Sequence, residues 1–283
     1  MMSYPSLPAD IQAASHTVDV NGIETHYLDI GHGDPLILIH GGGAGADSWG
    51  NWRGCLDAYA KHFRVIAYDM PGFGRSAKPS PDVYEYTQQN RNRHLLGFID
   101  ALGLERVRII GNSMGGATGL GLAIDHPERV ERLILMGSAG LNIANPDPSY
   151  IKNLQGYDFT LEAMQRIMRA MVGSRHVVDP VIVQYRHEIM QNEDARQAIQ
   201  QITRAKLTYE REQIASVKTP TLVVGGKEDK VAVLARTYGY LELLDNSWGF
   251  IVPHVGHWVM IEAPQEFAVM TLGFLTDPAF VAC

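Results

Sequence analysis

Apolar residues in this chain gather in short unbroken runs. PLILIH (35–40), RVIAYD (64–69), RVRIIGNS (106–113) and ERLILMGS (131–138) come early, and TPTLVVGG (219–226) and WGFIVPH (248–254) come late. Runs of this length, rich in Ile, Val and Leu and closed by Gly, Asp or Ser, predict strands buried on both faces, as in a parallel sheet covered by helices. Ahead of them, residues 16–20 and 25–29 flank Asn21-Gly22, a dipeptide that tolerates the positive φ angles of a tight hairpin turn, so an antiparallel pair is expected there.

Between Ser138 and Thr219 the period changes, and about eighty residues pass without a comparable run, a length at which structureless loops are rare inside compact domains. LEAMQRIMRAMV and DPVIVQYRHEIM instead place apolar residues three and four apart, which predicts amphipathic helices. The expected architecture is α/β: a mostly parallel central sheet flanked by helices, built from residues 1–140 and 215–283, with a helical cap (141–214) inserted after the sixth strand. Such a cap sits over the carboxyl edge of the sheet when the strands on either side of it are neighbours. No internal repeat or low-complexity tract interrupts the pattern.

Composition narrows the partners. A net charge of −7 with the two signs interspersed and no basic run argues against nucleic acid or an anionic membrane surface. The two cysteines, Cys55 and Cys283, are too far apart in sequence to suggest a metal or redox pair. The first residues lack a charged start followed by an apolar block, and no apolar run reaches the ~20 residues a membrane span needs. A cytoplasmic protein is expected, acting on a small molecule.

The unusual residues cluster at strand ends. GNSMGGATG (111–119) carries G-x-S-x-G between a predicted strand and a predicted helix, the context of a nucleophile elbow. Taken alone, the motif is better read as a turn of small residues chosen for packing. Its setting favours the nucleophile: Asp229 lies just beyond TLVVGG and His257 just beyond FIV, so Ser113, Asp229 and His257 follow one another in the order of the α/β-hydrolases and project from one edge. A serine hydroxyl needs a neutral imidazole to take its proton, and an acid fixes that imidazole's tautomer. Glu228, beside Asp229, is expected to point the opposite way, and His254 with His257 has no third ligand at supporting spacing, so neither a metal nor another cofactor is expected. Gly41, Gly43 and Ala46 fit G-x-G-x-x-A with Asp69 ending the next strand, as in a dinucleotide site, but DSWGNWRG is a poor helix start where such a site requires one.

Together HGGGAGADSWGNW, DMPGFGRSAKP, GNSMGGATG, GKEDKV and PHVGHWVMIEAPQEF resemble the meta-cleavage product hydrolases, carbon-carbon bond hydrolases of the α/β-hydrolase fold that act in bacterial degradation of aromatic compounds. The likeness runs from Val18 to Phe274 and departs from the family where Ala44 stands in place of a common proline and where KEDKVAV lacks one. The resemblance implies cleavage of 2-hydroxy-6-oxohexa-2,4-dienoates to 2-hydroxypenta-2,4-dienoate and a carboxylic acid. By the same resemblance Ser113 is the nucleophile, His257 the acid/base and Asp229 its partner, while the backbone N–H groups of Gly42 and Met114 form the oxyanion hole. Arg186 matches the arginine that holds the substrate carboxylate, Asn51 and Asn112 match amides that bind the carboxylate and oxo groups, and Trp258 matches an indole beside the dienoate.

A carboxylesterase or lactonase on the same fold is the alternative, because fold and triad do not choose the bond. A non-catalytic binding module would require a missing triad member, and a dehalogenase or epoxide hydrolase a carboxylate at position 113; neither holds. The small residues GGATG and the methionines Met164, Met168 and Met171 favour a roomy, adaptable apolar pocket and hence an aryl group on C6. Whether the chain is a monomer, a homodimer or a higher homo-oligomer stays open.

Overall fold

The computed structural model describes residues 4–147, 152–153 and 156–280. Eight strands make one sheet: β1 Ser15–Val20, β2 Ile23–Gly31, β3 Pro35–Ile39, β4 Arg64–Tyr68, β5 Val107–Asn112, β6 Val130–Met136, β7 Thr221–Gly226 and β8 Ser247–Val252. They lie in the order β1-β2-β4-β3-β5-β6-β7-β8. β1 and β2 form the expected hairpin, turned by Asn21 (φ 54°) and Gly22 (φ 84°), and β2 runs antiparallel to β4. All later neighbours are parallel, so β3 to β8 deliver their carboxyl ends to one edge.

Each predicted apolar run is a strand, and β3 to β7 owe this to burial on both faces; β8 departs from the expectation, because it lies at the sheet edge and leaves Gly249 and Phe250 exposed. Leu36 to Ile39 in β3 and Leu133 to Met136 in β6 have no measurable exposure. The helix Met114–Asp125 packs on β5 and β6. It comes unusually close because its first turns carry glycine: a Cβ at Gly115 would run into the carbonyl oxygens of Ile39 and His40, and one at Gly116 into the Ser138 side chain. The opposite flank carries the helix Pro264–Thr276, whose Thr271 hydroxyl lies 2.7 Å from that of Tyr59.

Between β6 and β7 the chain forms helices at Leu161–Met171, Pro180–Ile189, Glu193–Ile202 and Arg211–Ala215. Their starts are readable in the sequence. Thr160, Asp179 and Asn192 each accept a hydrogen bond from a backbone N–H of the following first turn, and Pro180 stands where its missing N–H is no loss. The helix Leu161–Met171 buries Ala163, Met164, Ile167, Met168 and Met171, the single face that its period predicted.

Candidate active site

Ser113 follows β5 directly and heads the helix Met114–Asp125 with φ 51° and ψ −112°. A non-glycine residue in this region stores about 1–3 kcal/mol of strain, which its surroundings must hold. Here the Ser113 N–H donates to the Met136 carbonyl (3.0 Å), and its own carbonyl accepts from Ala117 (3.1 Å) and Ala139 (3.0 Å). The sharp turn also requires bare backbone on both sides, since a Cβ at Gly111 would strike the Gly115 carbonyl. The glycines of G-x-S-x-G are therefore needed for close approach, while the serine side chain is left facing a cavity.

His257 lines the same cavity. Its Nδ1 lies 2.8 Å from Asp229 Oδ2, both side chains 1% exposed. Asp229 Oδ1 accepts from the N–H groups of Val231 (2.7 Å) and Ala232 (2.9 Å), so one carboxylate oxygen is fixed by backbone and the other is left for the imidazole. An imidazole that donates through Nδ1 keeps a lone pair on Nε2, the form a general base requires. The His257 N–H donates to the Met171 carbonyl (2.7 Å), tying the imidazole loop to the end of the helix Leu161–Met171. Glu228 does point away: its carboxylate accepts from Ser174 N (2.7 Å) and lies 3.6 Å from His254 Nδ1.

The glycine loop after β3 closes the other side. The backbone N–H groups of Gly42 and Met114 have no acceptor among the described residues, and both residues line the cavity. The loop is held by His40, a residue the sequence did not single out. Met70 N–H donates to His40 Nε2 (3.0 Å), so Nδ1 carries the proton and donates to the Gly41 carbonyl (2.7 Å). Burial pushes the His40 pKa down, which keeps this tautomer neutral. Asn112 is engaged by protein: its Nδ2 donates to the Met136 carbonyl (3.2 Å) and its Oδ1 accepts from Asn51 Nδ2 (3.2 Å). The Asn51 carboxamide oxygen is the polar group of that pair left to face a ligand.

Arg186 enters from the helix Pro180–Ile189 and is only 3% exposed. Its Nε and Nη2 both donate to the Ala44 carbonyl (3.1 and 3.0 Å), and its guanidinium carbon stands 5.0 Å from the Trp258 ring centre. A planar cation over an indole and anchored to the Ala44 carbonyl presents the geometry that suits a carboxylate. All nine residues named from the sequence except Asp229, which lies behind His257, line one cavity of about 400 Å³.

Three expectations are corrected. GGATG does not widen the cavity: Gly115, Gly116 and Gly119 pack against the sheet, and a Cβ at Gly119 would meet Ile109 (2.9 Å). Of the methionines offered as pocket wall, Met171 reaches the cavity, whereas Met164 and Met168 are buried on the same helix away from it. Leu141, Tyr157, Phe159, Ile167 and Ile199 supply the apolar wall instead. Finally, a helix does start after the glycine loop, at Ser48–Trp52, capped by Asp47. It is one turn long, and Asp69 is buried, accepting from Ser48 N (2.6 Å) and Arg75 N (2.8 Å) and paired with His26 (2.8 Å), so no carboxylate there is left for a ribose.

One buried cluster beside the site had no signal in the sequence. The Tyr185 hydroxyl donates to the Asp47 carboxylate and accepts from Arg75 Nη1 (3.2 Å). Burial, and then the charge of Asp69, push the Asp47 pKa up to about 6. Tyr185 and Asp47 are 138 positions apart, so only the fold brings them together.

A family model for the alpha/beta hydrolase fold matches residues 34–179. The 2-hydroxy-6-oxo-6-(2'-aminophenyl)hexa-2,4-dienoic acid hydrolase of Metapseudomonas resinovorans is 47% identical, covering 93% of this chain and 91% of its own. The 2-hydroxy-6-oxo-2,4-heptadienoate hydrolase of Pseudomonas putida is 33% identical over 90% of this chain and 93% of its own. Among solved structures, a meta-cleavage product hydrolase from Pseudomonas fluorescens IP01 superposes with a TM-score of 0.86 at 30% identity, covering 92% of this chain and 97% of that one.

Proposed function

Because the chain belongs to the meta-cleavage product hydrolases of the α/β-hydrolase fold, we propose that it hydrolyses the C5–C6 bond of 2-hydroxy-6-oxohexa-2,4-dienoates bearing an aryl group on C6. Water is consumed, and the products are 2-hydroxypenta-2,4-dienoate and an aromatic carboxylic acid. The observation that carries this is the shared cavity: Ser113 and His257 face it from one side, and Arg186, stacked on Trp258, faces it as well. That combination suits a substrate with a carboxylate at one end and a ketone to be attacked further along.

Cleaving a carbon-carbon bond needs somewhere for the electron pair to go. The dienol is first converted to its keto tautomer, with a proton delivered to C5, so that the leaving carbon becomes part of a conjugated dienolate. Ser113 Oγ, or a water it activates, then adds to C6 while His257 Nε2 takes the proton. The Gly42 and Met114 N–H groups stabilise the oxyanion on C6. As it collapses, the C5–C6 pair passes into the dienolate, which takes up the proton held by His257 and leaves as 2-hydroxypenta-2,4-dienoate. Where Ser113 is the attacking group, a water deprotonated by His257 then displaces it from the acyl-enzyme, releasing the carboxylic acid and returning the proton to Ser113 Oγ. Asp229 keeps the imidazolium paired throughout. The aryl assignment rests on the aromatic and aliphatic wall of Tyr157, Phe159 and Leu141, and on the relative with an aminophenyl substrate.

Steady-state comparison of 6-phenyl and 6-methyl dienoates, followed by loss of their yellow colour, tests the assignment. The expected result is a specificity constant higher for 6-phenyl; a preference for 6-methyl by an order of magnitude overturns the aryl assignment, and turnover of neither overturns carbon-carbon hydrolysis. Ser113→Ala is expected to bind the 6-phenyl dienoate, seen as a shift of its visible band, yet to release no benzoate. Near-normal benzoate release would remove the nucleophile from Ser113.

A further inference from the structure

The cavity holds a second arginine that the reaction above does not use. Arg236 lies on the helix Leu234–Leu243, which follows β7, and its side chain lines the cavity with Asn142 and Val231. Its Nε is buried with no hydrogen-bond partner among the described residues. That Nε has no accessible surface, so the donors Arg236 offers to the cavity are its two Nη groups, which likewise have no hydrogen-bond partner among the described residues and, unlike Nε, are not closed off.

Strand order places this group relative to the chemistry. The sheet runs β3, β5, β6, β7 across the edge that carries the site. Arg186 abuts the loop after β3, where a Cβ on Gly43 would lie 3.1 Å from its Nη2. Ser113 follows β5, and Arg236 follows β7. Tyr240, one turn on from Arg236 and on the same helix face, is 2.9 Å from Leu141 N, which fixes this wall beside the segment leaving β6. The two arginines thus stand on opposite sides of Ser113. A dienoate with its carboxylate at Arg186 and C6 at Ser113 extends its C6 substituent toward Arg236.

On that basis, which rests on the dienoate assignment, we infer that Arg236 reads the C6 substituent and selects aryl groups carrying a neutral oxygen acceptor, such as a ring hydroxyl. Charge argues against a second carboxylate there. Asp229 already shares the field of Arg236, and a buried anion would face both that carboxylate and the oxyanion forming on C6. A hydroxyl oxygen takes the N–H without adding charge. An aryl amine presents donors to a donor and gains nothing, so this chain is expected to differ in preference from the relative named for a 2'-aminophenyl substrate.

The test compares dienoates with 6-phenyl, 6-(2-hydroxyphenyl) and 6-(2-aminophenyl) groups, in the wild-type protein and in Arg236→Met. Specificity constants are measured for both, and dissociation constants in the Ser113→Ala background with and without Arg236→Met. The expected result is a hydroxyphenyl-to-phenyl ratio of about tenfold in both measurements, lost in Arg236→Met and partly restored in Arg236→Lys. A ratio that is the same with and without Arg236, including a parallel fall for every substrate, overturns the inference and leaves Arg236 as a counter-charge for Asp229. A wild-type protein that binds the three dienoates alike overturns it too. Turnover of the 6-phenyl substrate is read separately, so carbon-carbon hydrolysis can stand while the role of Arg236 falls.

Discussion

At the scale of single residues, the proposed role of Arg186 is what would separate this chemistry from ester hydrolysis on the same fold. Its guanidinium donates to the Ala44 carbonyl and lies over the Trp258 ring. A dienoate carboxylate adds a charge-assisted contact worth about 1.5–3 kcal/mol, whereas a small neutral ester has nothing to offer it. Arg186→Gln should therefore lower dienoate turnover at least about tenfold and leave any weak hydrolysis of p-nitrophenyl acetate nearly unchanged. Equal loss of both activities would make Arg186 a support of the helix it sits on, and the esterase alternative would regain its footing. Ser113, Asp229 and His257 were legible as residues because the chemistry demands their types in their order. Arg236 and His40 were not, since an arginine or a histidine in a run of ordinary sequence carries no mark of the cavity or loop it will face.

At the scale of the element, the helix Pro180–Ile189 carries two consecutive residues with different tasks. Arg186 points into the cavity, and Tyr185 donates to Asp47 while accepting from Arg75. Neighbours on a helix diverge by about a quarter turn, so both can be buried only where the helix is embraced on two sides. We expect Tyr185 to set the angle at which Arg186 is presented. Tyr185→Phe keeps the ring against Trp49 but removes the hydroxyl, which should destabilise the protein by about 1–2 kcal/mol. It should also raise KM for the dienoate several-fold, with a smaller change in kcat. A lowered melting temperature with KM unmoved would confine Tyr185 to packing. The helices between β6 and β7 were readable from period and cap residues because those are local signals. Which of their side chains reach the cavity was not, and the misassignment of Met164 and Met168 has this cause: a helix shows its buried face in sequence, but not what that face is buried against.

At the scale of the whole molecule, two buried carboxylates near the glycine loop titrate in opposite senses. Burial raises Asp47, and its folded-state pKa of about 6 lies above the ordinary value of 3.8. Between these values the unfolded chain has released the proton while the folded one retains it, so stability falls as pH rises through this window, by up to about 3 kcal/mol. For Asp69, burial is outweighed by the hydrogen bond and charge of His26, which hold its pKa well below the usual carboxylate range. Its contribution is present above the ordinary value and lost only in stronger acid. Thermal melts from pH 4 to 7 should show Asp47→Asn gaining on the wild type as pH rises, and a constant difference across that range would remove Asp47 as the cause. The insertion between β6 and β7 closes on itself: Gly140 forms a bridge with Thr208, and Tyr209 N–H donates to the Gly140 carbonyl at 2.7 Å. A segment whose two ends are fastened to each other can be lengthened, trimmed or replaced over generations without prising β6 from β7. Substrate range can then diverge among descendants while the strands that aim the serine stay as they are.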